Sequence, residues 1–262
     1  MNILQEIAER TKERVEAQKR VLPLGELIEN VHSVNTTQDF PFEHALRSEE
    51  MAFICEIKRA SPSKGIIATE FPYVDIARDY ETAGAAAISV LTEPYYFKGN
   101  DLYLREIADR VSIPLLRKDF TVDEYMIYEA KLLGASAVLL ICAILDEETL
   151  AQYLHIAHDL GLCALVEVHT AAEADMALAA GARIIGVNNR NLKTFAVDVT
   201  LSNRLRNMVP SDIIFVSESG IQTAADVNSL RKNGVDAVLV GETLMRAPDK
   251  KAALAELRGD ML

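Results

Sequence analysis

The sequence predicts an α/β fold, a single (β/α)8 barrel preceded by an N-terminal helical extension. Three observations carry the prediction. A glycine followed by a small linker and an apolar run occurs four times: "GAAAISVL" from Gly84, "GASAVLLI" from Gly134, "GARIIGVN" from Gly181 and "GVDAVLVG" from Gly234. Four other strand candidates interleave with these: "AFICEIK" from Ala52, "IPLLRKD" from Ile113, "CALVEVH" from Cys163 and "IIFVSES" from Ile213. The eight runs are spaced by roughly 20 to 35 residues, and each interval is long enough for a crossover helix. A doubly wound open sheet is the competing arrangement, and it needs no such regular alternation.

Taken in order, residues 1–47 are charged, with apolar spacing that suits helices. They form either an element packed over one barrel end or a solubilising surface helix. The barrel is expected over 48–262. Each glycine repeat reads as a helix ending on a left-handed glycine, then a strand buried on both faces. Continuous hydrophobicity, where an exposed strand would alternate, is the mark of a parallel strand under helices. The gaps hold helical stretches such as "PYVDIARDYETA" and "DEYMIYEAKLL".

Composition narrows the function classes. The chain has 262 residues, is 50% hydrophobic and carries a net charge of −12. That sign excludes non-specific binding to nucleic acid or to an anionic membrane. The start, "MNILQEIAERTKERVEAQKR", lacks the apolar core of a secretory signal, and "ASAVLLICAIL" is far shorter than the ~20 residues that span a bilayer. Cys55, Cys142 and Cys163 sit in apolar runs without C-x-x-C spacing, which predicts reduced core thiols and a cytoplasmic protein. The expected state is a monomer.

The odd-numbered strands all finish in charge: Glu56 and Lys58 on the first, Lys118 on the third, Glu167 on the fifth, Glu218 on the seventh. Barrels of this class build their active sites at the C-terminal ends of the strands. Glu56 and Lys58 share a direction because side chains alternate along a strand. The even strands add Asn188, with Arg190 just beyond, and Gly241 with Glu242. Interleaved acids and bases are the tolerable way to hold ions in a poorly hydrated mouth, and they shift one another's pKa values as acid–base catalysis requires. Surface ion pairs at loop starts account for one or two such residues, but not for ionisable groups at one phase of four alternate strands.

Ser219 and Gly220 after the seventh strand, and Gly241 at the end of the eighth, predict a phosphate seat. Glycine permits close approach of the backbone to an anion, and helix N-termini offer free N–H groups. The loops after strands seven and eight are the usual phosphate cradle of this barrel. His155 and His158 read as ordinary residues of a helix. His169 follows Glu167 with no second ligand beside it, so no metal is predicted.

Together, "EIKRASPSKG", "SVLTEPYYFKG", "LRKDF", "LVEVH", "GVNNRNLKTF" and "SESGI" resemble the indole-3-glycerol-phosphate synthase family of tryptophan biosynthesis, from about Glu56 to Met245. The resemblance implies ring closure of 1-(2-carboxyphenylamino)-1-deoxyribulose 5-phosphate with loss of carbon dioxide and water, and no cofactor. It implies Lys118 as the general acid at the ketone oxygen and Glu167 as its acid/base counterpart in dehydration. Lys58 would bind substrate anions and share in proton transfer. Glu56, Asn188, Arg190 and Glu218 would orient the substrate and these groups. Ser219, Gly220, Gly241 and Glu242 would hold the phosphate, and Ser61, Phe97, Phe120 and Leu139 would shape the aromatic slot. It also favours residues 1–47 as a lid over the mouth. Met126, Ser136 and Val187 depart from the residues more frequent in the family, away from the chemistry. Two other readings stand beside this one: an aldolase-type barrel with Lys118 as a Schiff-base lysine, and a non-catalytic binding barrel.

Overall fold

The computed structural model of the chain describes residues 3–33, 38–48, 50–191 and 193–260, so the extreme termini of the expected 1–47 and 48–262 units lie outside the described residues. Eight parallel strands close into a barrel: β1 Ala52–Ile57, β2 Ala87–Leu91, β3 Leu115–Lys118, β4 Ala137–Ile141, β5 Cys163–Val168, β6 Ile184–Asn188, β7 Ile214–Glu218 and β8 Ala237–Val240. Each strand pairs with its neighbour in sequence, and β1 closes the ring on β8 in the register Ala52↔Ala237 to Cys55↔Val240. The open sheet is thereby excluded.

Alternation along each strand sorts the core into two shells. Phe53, Cys55 and Ile57 of β1 face outward into the helix layer, with Ile88, Val90, Val166 and Phe215 from other strands. Ala52 and Ile54 face inward, with Leu116, Leu139, Leu165, Val216 and Leu239. Inward positions from alternate strands stack in layers, as this architecture requires. Ile54, Leu116, Leu165 and Val216 make one layer, and the next odd-strand layer up is Glu56, Lys118, Glu167 and Glu218.

Among the described residues twelve α-helices surround this ring: α1 Ile3–Val21, α2 Leu24–His32, α3 Pro41–Leu46, α4 Tyr73–Thr82, α5 Asp101–Ala108, α6 Tyr125–Leu132, α7 Glu147–Asp159, α8 Ala171–Ala179, α9 Thr200–Arg206, α10 Ala224–Lys232, α11 Glu242–Arg246 and α12 Lys250–Arg258. The repeat glycines do what their spacing predicts. Gly84, Gly134, Gly181 and Gly234 follow α4, α6, α8 and α10 with φ of 81°, 85°, 89° and 75°, a conformation that a Cβ would strain.

The N-terminal helices divide between the barrel's two ends. Leu4 and Ile7 of α1 pack in the inner shell with Phe120 and Leu139, at the C-terminal mouth. Phe42 and Leu46 of α3 are fully buried in the same shell from the opposite end. There Glu43 pairs with Arg183, just before β6, and Arg47 donates to the Asp212 carbonyl at 3.2 Å, just before β7. α2 lies on α6, with Leu27 packed against Tyr125 and Met126. A small element went unread in the sequence. The "ASPSKGI" stretch folds back as a two-stranded antiparallel hairpin, Ala60–Ser61 on Gly65–Ile66, because Gly65 takes φ 64° at the turn.

Candidate active site

The uppermost odd-strand layer is charged. Lys118 Nζ stands 2.6 Å from Glu218 Oε2 and 3.4 Å from Glu167 Oε2, so β3, β5 and β7 meet in one ion network inside the barrel. Lys58, just past β1, reaches Glu56 Oε1 at 2.6 Å. Glu56, Glu167 and Glu218 are buried, and Lys118 is nearly so. Asn188, ending β6, donates to Glu167 Oε2 at 3.3 Å and accepts from the Arg190 backbone N–H at 3.0 Å.

Burial alone would pull the Lys118 ammonium down, but Glu218, Glu167 and Glu56 outweigh it and hold the lysine protonated, above its ordinary pKa. Glu218 moves the other way from an ordinary carboxylate. Burial, with Glu167 and Glu56 nearby, pushes it up to about 7 against the pull of Lys118. The site thus holds a firmly charged acid beside a carboxyl group poised near neutrality, the separation of roles that proton-transfer chemistry uses.

Two glycines make room. A Cβ at Gly241 would overlap the Glu56 carboxylate and approach Lys58 Nζ at 2.7 Å. Ser219 and Gly220 turn out of β7 with φ of 66° and 82°. The chain next enters α10, whose first turn is closed by a capping box between Thr223 and Asp226. α11 starts directly after Gly241, so its first-turn N–H groups lack intrahelical acceptors. The Glu242 side chain turns to Lys64 at 3.4 Å and Arg246 at 3.2 Å.

Every residue given a catalytic, substrate-binding or phosphate-binding role above lines one cavity of about 800 Å³ at the C-terminal ends of the strands. On one side lie Ser61 and the rings of Phe97 and Phe120, whose centroids are 6.2 Å apart, above Leu139. Ser219, Gly220, Gly241 and Glu242 form the other side, with Arg190 between.

Sequence reasoning missed several contributors. Ile3, Leu4 and Ile7 of α1 line the cavity. Glu93, wholly buried, accepts the backbone N–H groups of Tyr95, Tyr96 and Phe97 at 2.8, 2.7 and 2.9 Å, which fixes the loop that presents Phe97. A carboxylate followed by three aromatics in "TEPYYF" was the available signal. Asp119, beside Lys118, accepts from Thr92 and from Arg14 of α1 at 2.6 and 2.9 Å. His169 stands against Glu167. Among the described residues no group of three or more His, Cys, Asp or Glu side chains has metal-holding geometry.

The family model described as "Indole-3-glycerol phosphate synthase" matches residues 4–257. A protein of that name from Ruminiclostridium cellulolyticum is 58% identical over 257 residues, covering 98% of this chain and 99% of the relative. Relatives of the same name from Lactiplantibacillus plantarum and Lachnoclostridium phytofermentans are 51% and 49% identical, each over 98% of both chains. Among solved structures, 3-hexulose-6-phosphate synthase from Salmonella typhimurium superposes with a TM-score of 0.66 at 13% identity, over 80% of this chain and 97% of that one. That likeness concerns the fold alone.

Proposed function

The chain belongs to the indole-3-glycerol phosphate synthase family, and from that premise we propose how its barrel mouth does the family's work. The reaction is that of a carbon–carbon lyase of tryptophan biosynthesis. It closes 1-(2-carboxyphenylamino)-1-deoxyribulose 5-phosphate into indole-3-glycerol phosphate, with loss of carbon dioxide and water.

Lys118 is the general acid. Its ammonium, kept charged by three carboxylates, donates a proton to the ketone oxygen as the aryl carbon attacks the ketone carbon. Departure of carbon dioxide from that aryl carbon restores the aromatic ring. Glu167 then takes and returns the protons of dehydration, by which the hydroxyl leaves as water. Lys58, tied to Glu56, faces the substrate's anions. Asn188 orients Glu167, and Glu218 holds Lys118 in line. The phosphate, about −1.5 to −2 in charge, sits on backbone groups of Ser219, Gly220, Gly241 and Glu242, with Arg190 near. The aromatic ring lies between Phe97 and Phe120, over Leu139 and beside Ser61.

The observation that carries this reading is Lys118 Nζ lying between Glu218 and Glu167 inside a cavity sized for a phosphorylated aromatic. The test is growth of indole fluorescence on adding the substrate. Steady growth with the native chain and none with Lys118→Met is the expected result.

The division into a 1–47 extension and a 48–262 barrel belongs to the same reading, with α1 as roof of the cavity. So does a monomer, which sedimentation checks. Three buried free thiols suit the reducing cytoplasm.

A further inference from the structure

His169 lies outside the roles assigned above, yet it is built into the site. It follows β5 directly and is largely enclosed, with 15% of its side chain exposed. Its Nε2 is 3.7 Å from Glu167 Oε1, and its Nδ1 is 3.6 Å from Glu173 Oε2 on α8. Both ring nitrogens are buried without a hydrogen bond. Glu173 is itself fixed, since its Oε2 accepts the His169 backbone N–H at 2.7 Å and its own N–H is capped by Thr170 at 3.2 Å. An enclosed imidazole between two carboxylates, with no acceptor in good hydrogen-bond range, is an ion-pair arrangement.

We propose that His169 is a positioning residue: as an imidazolium clamped between Glu167 and Glu173, it holds the Glu167 carboxylate in place and aimed at the substrate. The inference rests on the acid/base role given to Glu167. The charged and titratable groups around the ring are Glu167 on its own strand, Glu173 on α8, Glu218 across the barrel on β7, Lys118 beyond Glu167, and the Cys142 thiol, whose Sγ lies 3.7 Å from the Glu173 carbonyl. Burial pulls the imidazole down, but Glu173, Glu167 and Glu218 outweigh it and raise its pKa.

The experiment pairs a spectroscopic titration with steady-state kinetics. With ¹³C-labelled histidine, His169 of the native chain should titrate above an ordinary histidine, and Glu173→Gln and Glu167→Gln should each lower its midpoint. In His169→Gln kcat should fall by about 10-fold or more with little change in KM, as when a positioned catalytic group is misplaced. Glu173→Gln should lower kcat by less, and the double variant should match His169→Gln. A His169 midpoint at or below that of an ordinary histidine, or an unchanged kcat in His169→Gln, overturns the proposal. Near-native turnover of Glu167→Gln instead removes the acid/base reading, and the His169 titration does not depend on that reading.

Discussion

Gly186 on β6 occupies an inward position whose side chain would stand where the Glu218 carboxylate lies. A Cβ there would overlap Glu218 Oε1 and meet Leu165 Cδ1 at 3.0 Å. The even strand yields its space so that the odd strand can hold its carboxyl group against Lys118.

Gly186→Ala should therefore damage chemistry more than folding. Overpacking a closed interior costs about 1 to 3 kcal/mol, and the atom able to yield is the Glu218 carboxylate. Its displacement breaks the 2.6 Å contact to Lys118. We expect a turnover loss of about 10-fold or more with a native-like fold, as when a positioned catalytic group is misplaced. Steady-state kinetics with urea unfolding test this, and native turnover in a folded variant would refute the spatial argument.

Glu167→Gln keeps the shape of the side chain and the Asn188 contact but cannot carry the proton. Turnover should fall by about two orders of magnitude or more, with modest change in KM. Near-normal turnover would remove Glu167 from the mechanism.

The charged layer was legible because strand alternation is a short-range rule. Once "FICEIK", "LLRK", "LVEV" and "FVSE" are strands of one closed sheet, Glu56, Lys118, Glu167 and Glu218 must share a face and a height. The turn glycines were legible for a similar reason, since Gly84 or Gly134 marks its own φ. Other features depend on partners far away in sequence. Nothing in "PFEHAL" reveals that Phe42 and Leu46 plug the end opposite the one α1 roofs, because Arg183 and Asp212 complete that contact. His169 is a local case instead: Glu173 is only four residues on, but the first turn of α8 is what brings its carboxylate back to the ring.

Lys118 should not be trapped by borohydride in the presence of substrate. A Schiff base forms from a neutral amine, whereas Glu218, Glu167 and Glu56 keep this one protonated despite its burial. Mass spectrometry of the reduced mixture should find Lys118 unmodified. A substrate adduct on that lysine would replace the acid role with covalent catalysis.

Glu218 should leave a mark on stability against pH. Its folded pKa, about 7, lies above the ordinary 4.5, so the folded chain binds this proton more tightly than the unfolded chain. The stabilisation is complete below about pH 4.5 and disappears as pH rises through about 7. Glu218→Gln imitates the protonated form at every pH. Native stability should thus fall relative to the variant between pH 5 and 8, by up to about 3 kcal/mol. Urea unfolding across that range measures the difference, and a constant gap would mean that Glu218 does not titrate there.

Arg14→Met should loosen the roof of the site. Arg14 on α1 meets Asp119 Oδ2 at 2.9 Å with 12% and 1% of the two side chains exposed. Asp119 also accepts from Thr92 Oγ1 and from the Phe120 N–H, so it anchors the turn between the general acid and the aromatic slot. Removing one partner of a buried pair strands the other charge, at a cost of about 3 kcal/mol. Because Leu4 and Ile7 of the same helix line the cavity, substrate binding should weaken with it. We expect KM to rise more than kcat falls, and Asp119→Asn added to Arg14→Met should recover part of the stability by removing the stranded charge. Unchanged KM and unchanged urea midpoint in Arg14→Met would show that α1 rests on the mouth without supporting it.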